Sequence, residues 1–153
     1  MARNILVPVD FSGVTVPVVR QAAGLARALE AKLWLIHVAP PDPDFVGHEV
    51  GPQPVRDTLA DELRHEQRVL ERYQAVLRKR GLDVTALLVA GPTAPKILDA
   101  AGRLAADLIV LGSHGHGALY HMLVGSVCEE VLRRAQCPVV VVPDPSRKRK
   151  RPD

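Results

Sequence analysis

The sequence predicts an α/β fold: a doubly wound, five-stranded parallel sheet of strand order 3-2-1-4-5, with helices on both faces. Five short apolar runs, each bounded by residues that break regular structure, suit strands that are covered on two sides. Segments with helical periodicity separate these runs, and strands that alternate with helices pair in parallel through right-handed crossovers. With 153 residues, 47% of them hydrophobic, the chain is long enough to bury a core. We therefore expect a single domain over residues 1–146.

The apolar runs give the strands in chain order. The first strand is predicted to be central in the sheet and the last to lie at an edge. The runs are NILVPV (4–9), KLWLIHV (32–38), DVTALLV (83–89), DLIVLGS (107–113) and CPVVVVP (137–143). Pro8 conflicts with a central strand, because proline removes a hydrogen bond from the ladder. A position near the end of the strand would resolve that conflict.

Helical patterns fill the intervals between the strands. The predicted helices span residues 14–30, 56–80, 93–105 and 126–135. The first carries apolar side chains at three-and-four spacing, namely Val18, Val19, Ala22, Ala23, Ala26 and Leu29. Gly81 is expected to end the second helix. Ser126, followed three residues later by Glu129, forms a capping-box pattern at the start of the fourth.

Two segments fall outside this alternation. Residues 39–55, APPDPDFVGHEVGPQPV, are irregular and rich in Pro and Gly, and we interpret them as a mobile flap over a site or a partner. The formal charge of +3 is concentrated in the tail 147–153, RKRKRPD, which holds five basic residues. Such a run could contact phosphates, but the tail has no aromatic residue on which bases could stack. We expect a disordered tail and no nucleic-acid partner.

The sequence also bears on location and on the two cysteines. No run approaches the roughly 20 apolar residues that cross a bilayer, and the segment MARNILVPVD lacks the apolar stretch of a signal peptide. We expect a soluble, cytoplasmic protein without membrane contact. Cys128 and Cys137 are too few for a disulfide framework and are not spaced as metal ligands. They are expected to be small core residues.

The glycine run GSHGHGALYHMLVGS, residues 112–126, indicates a binding site. In an open parallel sheet, ligands bind beyond the carboxyl ends of the strands, where the connections diverge to opposite faces. Gly112 comes just after the fourth strand, and the next helix adds its partly positive N-terminus, a combination that favours bound phosphate. The run has no P-loop lysine, and a dinucleotide fingerprint would follow the first strand, where Asp10 stands instead.

Several polar residues near this run have alternative interpretations. Asp10 could bind a ligand or cap a turn, and the Ser126 hydroxyl could contact phosphate or cap its own helix. His114, His116 and His121 show no recognised metal-ligand spacing, so we expect no metal site and interpret them as polar loop residues that can donate hydrogen bonds to phosphate when protonated. Within an apolar strand, His37 is expected to be a satisfied core histidine rather than a catalyst.

The chain resembles the universal stress protein family, and specifically its ATP-binding branch, whose motif is G-x2-G-x9-G-[ST]. Every element of that motif has a match here, in Gly112, Gly115, Gly125 and Ser126. The stretches ILVPVDFS (5–12), LIHV (35–38) and CPVVVVP (137–143) also look like the family's first, second and last strands. The resemblance covers residues 3–143 and leaves out only the basic tail.

The resemblance implies a nucleotide site at the carboxyl edge of the sheet. Asp10 would meet the ribose, Val38 would contact adenine, and Gly91 would border the base or ribose. Gly115 would lie against the phosphate chain, and Mg²⁺ would accompany the triphosphate. The remaining implied contacts are Pro8 and Val9 near the pocket, Leu111 and Gly112 at the sugar and first phosphates, and Gly125, Ser126 and Val127 at the outer phosphates.

Three functions compete on these grounds. We favour a regulatory ATP-binding protein with slow or no hydrolysis, because no general base, arginine finger or Walker-type lysine can be identified in the glycine run. A weak ATPase or phosphotransferase would need an acid or base such as Asp10 or His114. A nucleotide-free dimeric scaffold is the third possibility. The edge strand PVVVV at 138–142 invites another chain, and the resemblance implies a homodimer through it.

Overall fold

The computed structural model describes residues 3–41, 53–114 and 124–145. These residues form a five-stranded parallel sheet of order β3-β2-β1-β4-β5, which confirms the predicted fold class. The strands are β1 Arg3–Pro8, β2 Ala31–Ala39, β3 Val84–Ala90, β4 Leu108–Gly112 and β5 Val139–Val142. The helices are α1 Thr15–Leu29, α2 Gln53–Lys79, α3 Thr93–Arg103 and α4 Ser126–Arg134.

The two faces of the sheet bury separate cores. Strand side chains alternate between the faces, so Ile5 points to one core and Leu6 to the other. Helices α1 and α2 cover the first core, where Leu70 and Leu77 of α2 are buried. Helices α3 and α4 cover the second, to which α4 contributes Cys128 and Val131. Because α1 follows β1 and α4 follows β4, the connections after these neighbouring strands leave on opposite faces of the sheet.

The conflict at Pro8 is resolved by its position. Pro8 is the last residue of β1, opposite Ile36 of β2 in the parallel register. The next residue continues the ladder, because Val9 N–H donates to Ile36 O at 2.9 Å. A proline at the end of the strand therefore does not interrupt the pairing.

The end of α2 follows the prediction, whereas its start does not. Gly81 has a φ of +82°, and the N–H groups of Gly81 and Leu82 donate to Arg78 O and Leu77 O, the two bonds of a Schellman motif. The helix begins at Gln53, three residues before the predicted start. Ala39 belongs to β2, so the predicted flap of residues 39–55 is too long at both ends, and residues 42–52 lie outside the described residues.

The predicted capping box at α4 is wrong. The N-cap residue is Gly125, whose carbonyl accepts the first helical hydrogen bond from Glu129 N–H at 2.9 Å. Ser126 is already helical, and no side chain caps the helix. Glu129 instead forms an ion pair one turn along the helix with Arg133. The pattern placed the cap one residue too late, because glycine also serves at that position.

Both cysteines are free and pack in the core under α3 and α4, as expected. Burial raises the pKa of the Cys128 thiol. Burial raises the pKa of Cys137 as well, with a smaller contribution from the negative charge of Asp107. Thiols of raised pKa are poor nucleophiles near neutral pH. No helix within the described ranges is long and apolar enough to span a membrane, and residues 147–153 are not among those described.

Candidate functional site

The predicted site residues lie along one edge of the sheet, where the parallel strands end. Asp10 follows β1, Val38 is near the end of β2, Gly91 follows β3, and Gly112 ends β4. Gly125 is the N-cap residue of α4, and Ser126 and Val127 lie in its first turn. Since β1 and β4 are neighbours and their connections diverge, this edge contains the switch point at which ligands bind in open α/β sheets. Gly115 lies outside the described residues.

The apolar members of the predicted set have little side chain to offer a ligand. Val9 and Leu111 are buried in opposite cores, and Val127 packs against the core under α3 and α4. Their main-chain groups can still face a ligand at this edge. The N–H groups of residues 126–128 belong to the first turn of α4, which leaves them without an acceptor inside the helix. Such a helix start attracts anions.

A hydrogen bond closes the base of the glycine run. Gly125 N–H donates to Ser113 O at 2.6 Å, which joins the end of β4 to the start of α4. A Cβ built on Gly125 would lie 3.3 Å from that carbonyl oxygen, closer than side chains normally come. Glycine at 125 therefore allows two main-chain segments to approach each other. We call residues 112–114 and 124–127 the α4 turn.

Gly112 is required for a different reason. A Cβ built on it would lie 2.7 Å from Cγ1 of Val14, a buried residue just before α1. The space that a side chain would take is thus filled by the protein itself. The absence of a side chain at Gly112 lets the segment before α1 pack on β4, across the switch point.

Gly91 has a lysine close to it that the sequence did not indicate. The aliphatic chain of Lys96, from α3, folds over Gly91, with Cε 2.7 Å from where a Cβ would stand. Gly91 N–H donates to Ala39 O at 3.1 Å, which ties the ends of β2 and β3 together. Lys96 therefore adds a cationic side chain at the same edge of the sheet.

Asp10 stabilises the turn that enters α1. Its Oδ1 accepts from Ser12 N–H at 3.0 Å and lies 3.5 Å from the Thr15 hydroxyl. Phe11, between Asp10 and Ser12, has a left-handed φ of +60°. Of the two roles that the sequence left open for Asp10, the structure contains the capping role. The carboxylate also lines the cleft described next.

A cleft of about 440 Å³ opens beside β1 and β2 at this edge. Of the predicted site residues that the structure describes, Asp10 and Val38 contribute to its walls. The other lining residues are Phe11, His37, Pro40, His65, Glu66 and Val69. Three of these belong to α2, a helix whose exposed residues gave no sign of a binding role. The walls of the cleft combine apolar, aromatic and ionisable side chains, as small-molecule sites do.

His37 and Glu66 form an unusual pair in this cleft. His37 Nδ1 lies 2.8 Å from Val9 O, and because a carbonyl can only accept, Nδ1 carries the hydrogen. Nε2 then faces Glu66 Oε2 at 3.3 Å, without the geometry of a hydrogen bond. His37 is buried, as expected, but among the described residues only its Nδ1 has a hydrogen-bond partner.

The imidazole of His114 is also buried. It is only 6% exposed, and neither ring nitrogen has a hydrogen-bond partner in the part of the chain that the structure describes. The interpretation of His114 as a polar loop residue is therefore incomplete, since the side chain is enclosed at the end of β4. His116 and His121 lie outside the described residues. Among those that are described, no group of three His, Cys, Asp or Glu could hold a metal ion.

Known proteins share this architecture. Over 146 residues, the chain is 30% identical to universal stress protein MJ0531 of Methanocaldococcus jannaschii, a match that covers 95% of this chain and 84% of that protein. The solved structure of universal stress protein UspA from Lactobacillus plantarum superposes with a TM-score of 0.79 at 28% identity, and covers 92% of this chain and 97% of that one.

Two further solved neighbours share the fold and hold nucleotides. One is a universal stress protein in complex with cAMP, at 23% identity, a TM-score of 0.66 and coverage of 94% of this chain and 98% of that one. The other is the universal stress protein of Archaeoglobus fulgidus in complex with dAMP, at 22% identity, a TM-score of 0.61 and coverage of 91% and 96%. The model of the universal stress protein family matches residues 1–143. The chain belongs to the universal stress protein family.

Proposed function

We propose that this protein is a regulatory ATP-binding protein of the stress response, with the nucleotide at the carboxyl edge of the sheet. The observation that carries the proposal is that the helix start in the α4 turn and the partly apolar cleft beside β1 and β2 both lie at the carboxyl edge of the sheet. The first can hold an anionic phosphate chain and the second a base. Family neighbours in complex with cAMP and dAMP support a nucleotide ligand.

The choice of ATP rests on the glycine motif. Gly112, Gly115, Gly125 and Ser126 match the spacing of the ATP-binding branch. The residues proposed to contact the ligand remain those predicted from the sequence. Mg²⁺ would be held by the phosphates and water, a common arrangement for this ion in nucleotide sites.

Catalysis is not part of the proposal. Phosphoryl transfer needs a positioned residue to orient the nucleophile and cations to neutralise charge. The Asp10 carboxylate accepts a hydrogen bond from Ser12 N–H, which suits a structural group better than a general base. We expect ATP turnover well below about 1 s⁻¹, the low end for kinases, in a steady-state assay of ADP release.

A charge placed at the first residue of α4 tests the proposal. Ser126 is exposed, and an aspartate there would stabilise the helix start while repelling phosphate. We expect Ser126→Asp to weaken ATP binding by about tenfold or more, because like charges at close range cost more than 1 kcal/mol outside bulk water. Isothermal titration with MgATP and with adenosine measures both affinities.

Ser126→Asn is the matched control, since the asparagine side chain has the shape of aspartate without its negative charge. It should bind ATP within about threefold of the unsubstituted protein, and all three proteins should bind adenosine equally. Unaltered ATP affinity in Ser126→Asp would contradict a phosphate site at α4. If the unsubstituted protein bound no nucleotide at millimolar concentration, a nucleotide-free scaffold would replace the proposal.

We further propose a homodimer through the last strand, residues 138–142. Within the described residues, β5 pairs only with β4, and its four valines are all half-buried. An edge strand of this composition can pair with a second copy across a two-fold axis. Light scattering should give twice the chain mass of 16.6 kDa, and a monomer mass would contradict the dimer.

A further inference from the structure

The outer edge of β3 is bonded to side chains of α2. Within the described residues, β3 is an edge strand that pairs only with β2. Gln74 Oε1 accepts a hydrogen bond from Ala86 N–H at 2.6 Å. Arg78 Nε donates to Val84 O at 2.8 Å. Two side chains of one helix therefore occupy two main-chain groups of the strand beside it.

The register of the sheet shows which way these main-chain groups point. Leu33 N–H of β2 donates to Asp83 O at 2.9 Å, so Asp83 turns its main chain toward β2. Successive residues of a strand bond to opposite sides, and the bond from Gly91 N–H to β2 keeps the same alternation. Val84 and Ala86 therefore turn their main-chain groups to the free edge, where another strand would pair.

The spacing of the two side chains on α2 matches the spacing of the two groups on β3. Gln74 and Arg78 are four residues apart, which is about 6 Å along a helix. Val84 and Ala86 are two residues apart, which is about 6.6 Å along a strand. Because the turn at Gly81 reverses the chain, the earlier side chain meets the later strand residue. Both bonds can therefore form without distortion of either element.

The two edges of the sheet differ in what they present to another strand. β5 consists of four half-buried valines, whose side chains neither donate nor accept hydrogen bonds. The edge of β3 instead carries an amide and a guanidinium, and Arg78 is exposed. A charged side chain on an edge strand opposes pairing with another chain. A second strand at β3 would also have to displace both existing bonds.

We propose that Gln74 and Arg78 block the outer edge of β3 against pairing with a second copy of this chain. This inference goes beyond the proposed function, because it concerns how copies associate and not what they bind. It leaves β5 as the edge for the proposed dimer. A sheet with one edge open to pairing gives a closed dimer, whereas a sheet with two open edges gives assemblies that can keep growing.

Replacement of both side chains by alanine tests the block. Gln74→Ala combined with Arg78→Ala removes both bonds and the charge. In sedimentation velocity at rising concentration, the unsubstituted protein should keep one mass, whereas the double variant should reach at least twice that mass. In dilute solution, Ala86 N–H of the double variant should exchange with solvent about tenfold or more faster, because its acceptor is lost. Association should slow that exchange again.

The same helix provides a matched control. Gln67→Ala combined with Arg64→Ala removes the same residue types from exposed or half-buried positions of α2. Gln67 donates to Glu71, and Arg64 pairs with Asp61, so neither is bonded to a strand in these contacts. This control should keep the mass of the unsubstituted protein and the slow exchange of the β3 edge.

A proline at the free edge distinguishes strand pairing from association through unfolding. Ala86→Pro, added to the double variant, removes the N–H that a second strand would bond, and proline is tolerated in edge strands where that group faces outward. The triple variant should return to the mass of the unsubstituted protein. Association that persists with the proline would overturn the inference. If the triple variant does not fold, association of the double variant without renewed protection of Ala86 N–H would overturn it equally.

The outcomes separate this inference from the proposed dimer. If the unsubstituted protein is a monomer and the double variant is larger, the dimer through β5 is wrong and the block at β3 stands. If both proteins are dimers at every concentration, the block is wrong and the dimer stands. Neither result depends on whether the protein binds a nucleotide.

Discussion

The two halves of the candidate site differ in whether side-chain or main-chain groups form them. The cleft beside β1 and β2 is lined by side chains, including the pair His37 and Glu66 on neighbouring elements. The α4 turn is mostly main chain, joined by the 2.6 Å bond from Gly125 N–H to Ser113 O. In the cleft, a substitution removes a contact that the side chain makes. In the α4 turn, a substitution of glycine adds atoms where main-chain segments already meet. A substitution is therefore expected to destabilise the cleft by loss of a contact and the α4 turn by steric crowding.

The largest effect on stability is expected in the α4 turn, at Gly112. Gly112→Ala would place a methyl group 2.7 Å from Val14 Cγ1, and Val14 is buried and stiff. Overpacking of this kind costs about 1–3 kcal/mol. Urea denaturation measures the loss in free energy of unfolding.

A double substitution and a second glycine serve as controls for Gly112. With Val14→Ala also present, Gly112→Ala should cost less, because the clash with the Val14 methyl groups is removed and only the 3.2 Å approach to His114 O remains. Gly24→Ala in α1 adds a methyl group with no atom within 4 Å and should instead stabilise the protein by about 0.5–1 kcal/mol. Equal costs for Gly112→Ala with and without Val14→Ala would show that Val14 is not the obstacle.

A smaller effect is expected in the cleft, at His37. His37→Leu removes the 2.8 Å hydrogen bond to Val9 O and the contact with the Phe11 ring, whose centroid is 4.4 Å away. The free energy of unfolding should fall by about 1–2 kcal/mol, the usual worth of a buried hydrogen bond. Thermal and urea unfolding should agree on this loss.

An exposed histidine of the same cleft gives the comparison for His37. His65 is on α2 at the cleft wall, and His65→Leu should change stability by no more than about 0.5 kcal/mol. Similar losses at both positions would mean that the bond to Val9 does not carry the effect. Together, the two variants distinguish a side chain that only lines the cleft from one whose hydrogen bond stabilises the protein.

The two halves of the site also differ in how far the sequence could predict them. The spacing of Gly112 and Gly125 is visible within fourteen residues, so the sequence could indicate the α4 turn, although the need for Gly112 arises from Val14, almost a hundred residues earlier. The α2 residues of the cleft, such as Glu66, come to the same cleft as Asp10 only after α2 packs on the sheet. On the sequence they look like the exposed face of any amphipathic helix.

The fold was easier to predict than either half of the site. The positions of strands and helices follow from hydrophobic periodicity, which is local and repeated along the chain. The errors fall at boundaries, where one residue decides the chemistry: the start of α2 at Gln53, and the N-cap of α4 at Gly125 rather than Ser126. The first and last residues of a helix depend on single hydrogen bonds, and the periodicity of apolar residues does not predict those bonds.

The smallest effect is expected at Ser126, and it tests that boundary. A serine at an N-cap position contributes about 1 kcal/mol through its hydroxyl. Here the hydroxyl caps nothing, so Ser126→Ala should change the free energy of unfolding by less than about 0.5 kcal/mol. Gly125→Ala, by contrast, should cost about 1 kcal/mol, because alanine is a poor N-cap and its Cβ would crowd Ser113 O. A larger loss at Ser126 than at Gly125 would restore the serine as the cap and remove its hydroxyl from the groups available to a ligand.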